Sequence, residues 1–226
     1  MAASDVESIS VSDLLAMSSA TDKQAFQDLW LGYTETFGNK ELRYEISKTY
    51  DTAKPEHILC FAGAEEGIYV AMRVILSHND HAIIVVPNYQ AAETIPLDIC
   101  EVSGVPLNPE ENWSLDIDRV KNEIRPNTKL ISINFPNNPT GAILAKERLD
   151  ELIRICRNRG LYLFSDEVYR LLERDTKLRL PQIADIYERG ISLNVMSKAY
   201  GLPGLRLGWI MCKDETILQN MERYKH

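Results

Sequence analysis

Several residues able to do chemistry stand directly after short apolar runs in this chain. Lys198 follows one such run. A lysine held at the ligand edge of a sheet can be desolvated and act as an amine nucleophile, as in Schiff-base chemistry. Taken singly, such a lysine reads as a solvated surface charge. Asp166 is delivered by Leu161-Tyr162-Leu163-Phe164 into a position expected to be buried. A carboxylate there is costly unless a cation meets it, so a cationic partner is implied. Arg206, eight residues beyond Lys198 and flanked by apolar residues, is expected to be unsolvated and therefore to need an anion.

Three further segments sit in equivalent places. Ala62-Gly63-Ala64-Glu65-Glu66-Gly67 is a small-residue turn opening a helix, where exposed amides and the helix dipole can hold a phosphate. The plainer reading is an ordinary βα loop. In Pro87-Asn88-Tyr89 the tyrosine can stack on a planar ligand or simply pack. The stretch from Asn134 to Gly141 is rich in proline and asparagine. It predicts a tight turn from which an asparagine amide can donate to a ligand oxygen, with an Asx-rich turn as the alternative.

These residues must be positioned by the elements around them. Apolar runs at 58–62, 82–86, 101–105, 130–135, 161–165, 192–196 and 207–212 predict seven strands. Amphipathic helices are expected at 145–159, 65–76 and 116–124, with another starting at Asn39 and a last one starting at Asp214. The stretch up to Gly38 reads as polar and irregular. Continuous apolar strands alternating with helices predict an α/β, doubly wound, mainly parallel sheet. Ligands in such sheets sit beyond the carboxyl ends of the strands, where these residues fall.

Composition narrows the function classes. The 226 residues are 45% hydrophobic and 26% charged, typical of a globular chain. With 25 Lys+Arg against 33 Asp+Glu the net charge is −8, and no basic run is present, so nucleic acid is not the expected partner. The longest apolar runs are strand-sized, which argues against a membrane partner. Four dispersed cysteines and four histidines give no metal-ligand spacing, so no metal site is expected and a reducing cytoplasm is the expected compartment.

Together these segments resemble the class I/II aminotransferases, fold-type I enzymes that use pyridoxal 5′-phosphate (PLP). The resemblance runs from about Tyr33 to Gly208 and lies in order and spacing. Twenty-eight residues separate Asn138 from Asp166, and thirty-two separate Asp166 from Lys198. It makes Lys198 the Schiff-base lysine and proton shuttle, and Asp166 the partner of the pyridine nitrogen. Tyr169 and Asn138 would hold the phenolic oxygen, and Tyr89 would stack on the ring. The Gly63 turn, the amides of Ala64 and Glu65, the Ser197 hydroxyl and the Arg206 guanidinium would hold the phosphate. Tyr33 would reach the phosphate of a neighbouring subunit, implying a homodimer. The substrates implied are an amino acid and a 2-oxo acid.

The sequence also departs from the family pattern. Many members carry a phosphate-binding serine where this chain has Val195. The carboxylates of Glu65 and Glu66 would repel a phosphate, so both are expected to point away. Residues 1–48 are expected to contribute to a small domain and a dimer contact, and residues 49–226 to form the PLP-binding large domain. The chain ends inside the last helix, so the small domain is expected to be largely missing and the chain to be a fragment. Lyases and cyclases of the same fold share these cofactor residues, and a non-catalytic PLP-binding remnant or regulator module would also keep them. Arg43, Arg170 and Arg179 are the remaining cationic candidates near the site, each reading also as a surface or helix-end charge.

Overall fold

The computed structural model describes residues 6–226. In chain order its elements are α1 (Val11–Ala16), α2 (Ala20–Gln27), α3 (Lys40–Ser47), β1 (Ile58–Phe61), α4 (Ala64–Ile75), β2 (His81–Val86), α5 (Gln90–Leu97), β3 (Glu101–Pro106), α6 (Ile117–Glu123), β4 (Thr128–Asn134), α7 (Lys146–Arg159), β5 (Tyr162–Asp166), α8 (Ile183–Ile186), β6 (Gly190–Val195), β7 (Gly208–Cys212) and α9 (Glu215–Lys225). Every expected strand is present, with ends within two residues of those read from the sequence. One sheet holds all seven in the order β1-β7-β6-β5-β4-β2-β3. β7 runs antiparallel to both its neighbours, and the other pairings are parallel.

Helices cover both faces. α4, α5 and α9 pack on one, over a core that includes Leu59, Ile68, Phe164, Leu193 and Ile210. α6, α7 and α8 pack on the other, over Ile131, Leu152, Leu163 and Tyr187. Strands β1, β5, β6 and β7 are buried along their whole length, as continuous apolar runs between two helix layers require. In α7 the stripe Leu149, Leu152, Ile153 and Cys156 is buried, and Gly160 ends the helix at φ +67°. Asn39 caps α3 through its side chain, and Asp214 caps α9.

The stretch before Gly38 differs from the expectation of irregular chain. Ser10 and Ser19 each accept a backbone N–H three residues on, from Asp13 and Asp22, and so start α1 and α2. The Ser-x-x-Asp spacing was a readable helix-start signal. Neither helix buries a residue, so hydrophobic periodicity carried no trace of them. α5 was also unread, because its Pro96 argues against a helix.

Gly208 lets β7 approach the start of α4. A Cβ at Gly208 would lie 2.7 Å from the Gly63 carbonyl carbon and 2.9 Å from the Ala64 nitrogen. Both are backbone atoms that cannot step aside. Gly208→Ala is expected to lower unfolding free energy by about 2–3 kcal/mol in a denaturant titration. Gly204→Ala, where a Cβ meets nothing within 4 Å, is expected to stay within about 0.5 kcal/mol of the parent. Equal stability of the two variants would show that the close approach is not required.

Candidate functional site

The carboxyl ends of β2, β4, β5 and β6 open onto one cleft of about 260 Å³, closed at one end by α4 and by the turn that precedes β7. Asp166 is the last residue of β5 and is 2% exposed. Burial pushes its carboxyl up to about 7, against the Val168 N–H and the Lys198 charge, which pull it down. The Val168 N–H donates to its Oδ1 at 3.2 Å. The Lys198 charge acts on Asp166 as a cation, and burial still dominates.

Lys198 follows β6 and lines the same cleft, its Nζ 5.5 Å from the centroid of the Tyr169 ring. Tyr89, at the end of β2, lines it from another side. Burial raises the Tyr89 phenol first, then the charges of Glu65 and Asp166, while Arg206 draws it down. Asn138 reaches the cleft from the turn after β4. That turn is held by two asparagines that the sequence reading did not single out. Asn134 Oδ1 accepts the Asn138 N–H at 2.7 Å, and its Nδ2 donates to the Asp166 carbonyl at 3.0 Å. Asn137 Nδ2 donates to the Pro87 carbonyl, and its Oδ1 accepts from Thr140. Their signal was in the same Asn-Pro stretch, but only the fold shows which asparagine is buried as a brace and which is presented.

The α4 end of the cleft has the character of an anion socket. The N-cap of α4 is Gly63 at φ +100°, and no side chain caps its first turn. Ser197 Oγ is buried without a hydrogen-bond partner and lines the cleft together with Ala64 and Arg206. A Cβ at Gly63 would meet the Arg206 guanidinium at 2.6 Å. Uncapped amides, an orphaned hydroxyl and a guanidinium in one corner are what a phosphate requires. Val195 lines the cleft as a buried apolar residue.

Two expectations need correction. Arg206 is exposed, with Nη1 donating to the Pro203 carbonyl at 3.1 Å, because it ends its turn in a left-handed conformation at the cleft mouth. Of the two carboxylates, Glu66 does turn away, folding back to accept the Ala62 N–H. Glu65 lines the cleft, since the next position round the helix faces a different way. Among the described residues, Arg43, Arg170 and Arg179 do not line this cleft. Arg43 donates to the Gly38 and Pro55 carbonyls, and Arg179 pairs with Glu173 at 3.0 Å. Tyr33 is fully exposed and is not part of this chain's own cleft.

Among the described residues no helix is long and apolar enough to cross a membrane. A family model described as aminotransferase class I and II matches residues 11–226. The aspartate aminotransferase of Pyrococcus horikoshii is 32% identical over 201 residues, covering 86% of this chain and 51% of that protein. The arginine–pyruvate transaminase of Pseudomonas aeruginosa is 29% identical over 190 residues, covering 79% of this chain and 47% of that protein. In structure, a PLP-dependent aminotransferase from Streptococcus suis matches with a TM-score of 0.89 at 32% identity, covering 98% of this chain and 60% of the other. This chain spans about half the length of the curated relatives it matches.

Proposed function

The chain belongs to the class I and II aminotransferases, and on that premise we propose that it binds PLP and moves an amino group between an amino acid and a 2-oxo acid. The observation that carries this reading is the cleft itself: the Lys198 amine, the buried Asp166 carboxylate and the anion socket at α4 line one space. Lys198 is the Schiff-base lysine and holds the proton that moves at the substrate Cα. Asp166, costly as a buried anion on its own, would hold the ring nitrogen in its protonated form, and the opposite charges would stabilise each other. When bound, the cofactor supplies an electron sink for the substrate Cα.

The other residues bind and orient. Tyr169 and Asn138 hold the phenolic oxygen, and Tyr89 covers the ring face. The Gly63 turn, the Ala64 and Glu65 amides, Ser197 and Arg206 hold the phosphate. In a homodimer Tyr33 reaches the partner's phosphate, and residues 1–48 contribute to the subunit contact and a small domain. Support comes from the exposed Trp30, Leu31 and Tyr33, an apolar surface of the kind that subunit interfaces cover. The four free cysteines fit a reducing compartment such as the cytoplasm.

A second reading, cofactor binding without turnover, has one observation in its favour. Among the described residues that line the cleft Arg206 is the one arginine, and it stands at the phosphate end, leaving the substrate carboxylate without a guanidinium from this set. One experiment separates the readings. The purified chain is mixed with PLP, then with an amino acid, then with a 2-oxo acid, and its absorption spectrum followed. A visible band that fades on adding the amino acid and returns with the oxo acid supports transamination. A band that ignores both supports the second reading, and no band defeats both.

A further inference from the structure

Glu167 follows Asp166 directly, and strand alternation sends its side chain to the opposite face of the sheet. It is 5% exposed and takes no part in the cleft. Its Oε1 accepts the Ile183 N–H at 2.9 Å and the Ser192 hydroxyl at 3.0 Å. Ser192 in turn accepts the Ala184 N–H. Asn194 Nδ2 approaches Oε2 at 3.4 Å, and donates to Gln182 Oε1 at 3.0 Å and the Tyr50 hydroxyl at 3.1 Å. The Trp209 indole N–H donates to the same hydroxyl at 3.0 Å. The Glu167 N–H itself makes the next rung to β6, donating to the Leu193 carbonyl at 2.9 Å.

This network runs behind the cleft across the ends of β5, β6 and β7, the strands that deliver Asp166, Lys198 and Arg206. Glu167 thus grips β6 on either side of Leu193, the residue paired with Asp166, with Lys198 four residues beyond Asn194. Burying a carboxylate carries a desolvation cost; burial pushes Glu167 up to about 7, while the Ile183 N–H, the Ser192 and Ser165 hydroxyls and the Arg170 charge pull it down. An apolar residue would fill the space without that cost, so the geometry calls for another reason to keep the carboxylate.

We propose that Glu167 is a positioning residue for the reaction read above, fixing the offset between β5 and β6 so that Asp166 and Lys198 meet opposite ends of one cofactor ring. It touches neither cofactor nor substrate and acts through the strand ends. The proposal rests on the PLP reading. Glu167→Gln is nearly isosteric, but it replaces one acceptor oxygen with an NH₂ that faces the Asn194 amide.

The test compares the parent chain, Glu167→Gln and Ser192→Ala, which removes one donor to Oε1. PLP affinity, the pH titration of the bound-cofactor band and affinity for inorganic phosphate are measured for each. Glu167→Gln should weaken PLP about tenfold and shift the band's titration by about one pH unit, since small misplacements at a site cost this much. Inorganic phosphate, which uses the α4 socket alone, should bind within about twofold of the parent, and Ser192→Ala should show about a threefold loss for PLP. Parent-like PLP affinity and titration in both variants would overturn the proposal. So would equal losses for PLP and phosphate, which mean general damage. If Glu167→Gln does not fold, Ser192→Ala decides by the same criteria. A parent chain with no band defeats the PLP reading itself, a result distinct from failure of the variants alone.

Discussion

Lys198→Ala, purified and mixed with PLP, is expected to fold as the parent does and to show no visible band from bound cofactor. Lys198 is half-buried at the cleft, beyond the end of β6, so the far-ultraviolet circular dichroism should keep the parent's shape. What disappears is the covalent link. Affinity for PLP should fall about hundredfold, or about 2.7 kcal/mol, leaving what the phosphate socket and Asp166 supply. A second consequence follows from the charge. Lys198 is the cation that draws Asp166 down, so its loss leaves that carboxyl higher still. Lys198→Arg separates the two effects: it keeps a charge and should still lack the band, because a guanidinium does not form the imine. A band that survives in either variant would remove Lys198 from its role.

The other large effect belongs to Asp166→Asn, and it has opposite signs for stability and for chemistry. The Asp166 carboxyl is raised from 3.8 to about 7 by burial. A group raised in the folded state contributes stability that is fully present below its ordinary value and lost as pH rises through the folded value. The cofactor-free parent should therefore weaken between about pH 4 and pH 7, and Glu167, also raised to about 7, adds a fall of the same sign. Asp166→Asn removes one of these two contributions. At pH 8 the cofactor-free variant should be more stable than the parent by on the order of 4 kcal/mol in a urea titration. Amino-group transfer should meanwhile slow by on the order of a thousandfold, about 4 kcal/mol of barrier, since an amide does not keep the ring nitrogen protonated. A variant less stable than the parent at pH 8, or one with parental turnover, would contradict the assignment.

That trade is the physical sense of the site. A carboxylate whose burial outweighs the pull of the Lys198 charge destabilises the chain above its raised pKa, and such a carboxylate is complementary to a cationic group. The uncapped first turn of α4 and the unpartnered Ser197 hydroxyl follow the same logic toward an anion.

Much of this was legible in the sequence because the signals are local. The apolar runs that became β1 to β7 each lie within a few residues, and the burial of β1, β5, β6 and β7 on both faces could be read from their lack of alternation. Asp166, Lys198, Tyr89 and Asn138 each stand at or just after a strand end, so a parallel sheet brings them to one edge without further information. The Gly63 turn was legible for the same reason.

What the sequence could not supply depends on partners far along the chain. Glu167 reads as one polar letter in Ser165-Asp166-Glu167. Its network joins Tyr50 to Asn194 and Trp209 across separations of 144 and 159 residues, which only the strand order brings into reach. The opposite fates of Glu65 and Glu66, neighbours of one type, depend on the rotation of α4 about its axis over β7. Strand identity and the residues at strand ends were thus determined by local pattern. Which side chains are braces, which face the cleft and which meet solvent was decided by packing, because hydrogen-bond partners are chosen by distance in space and carry no mark in the spacing of residues.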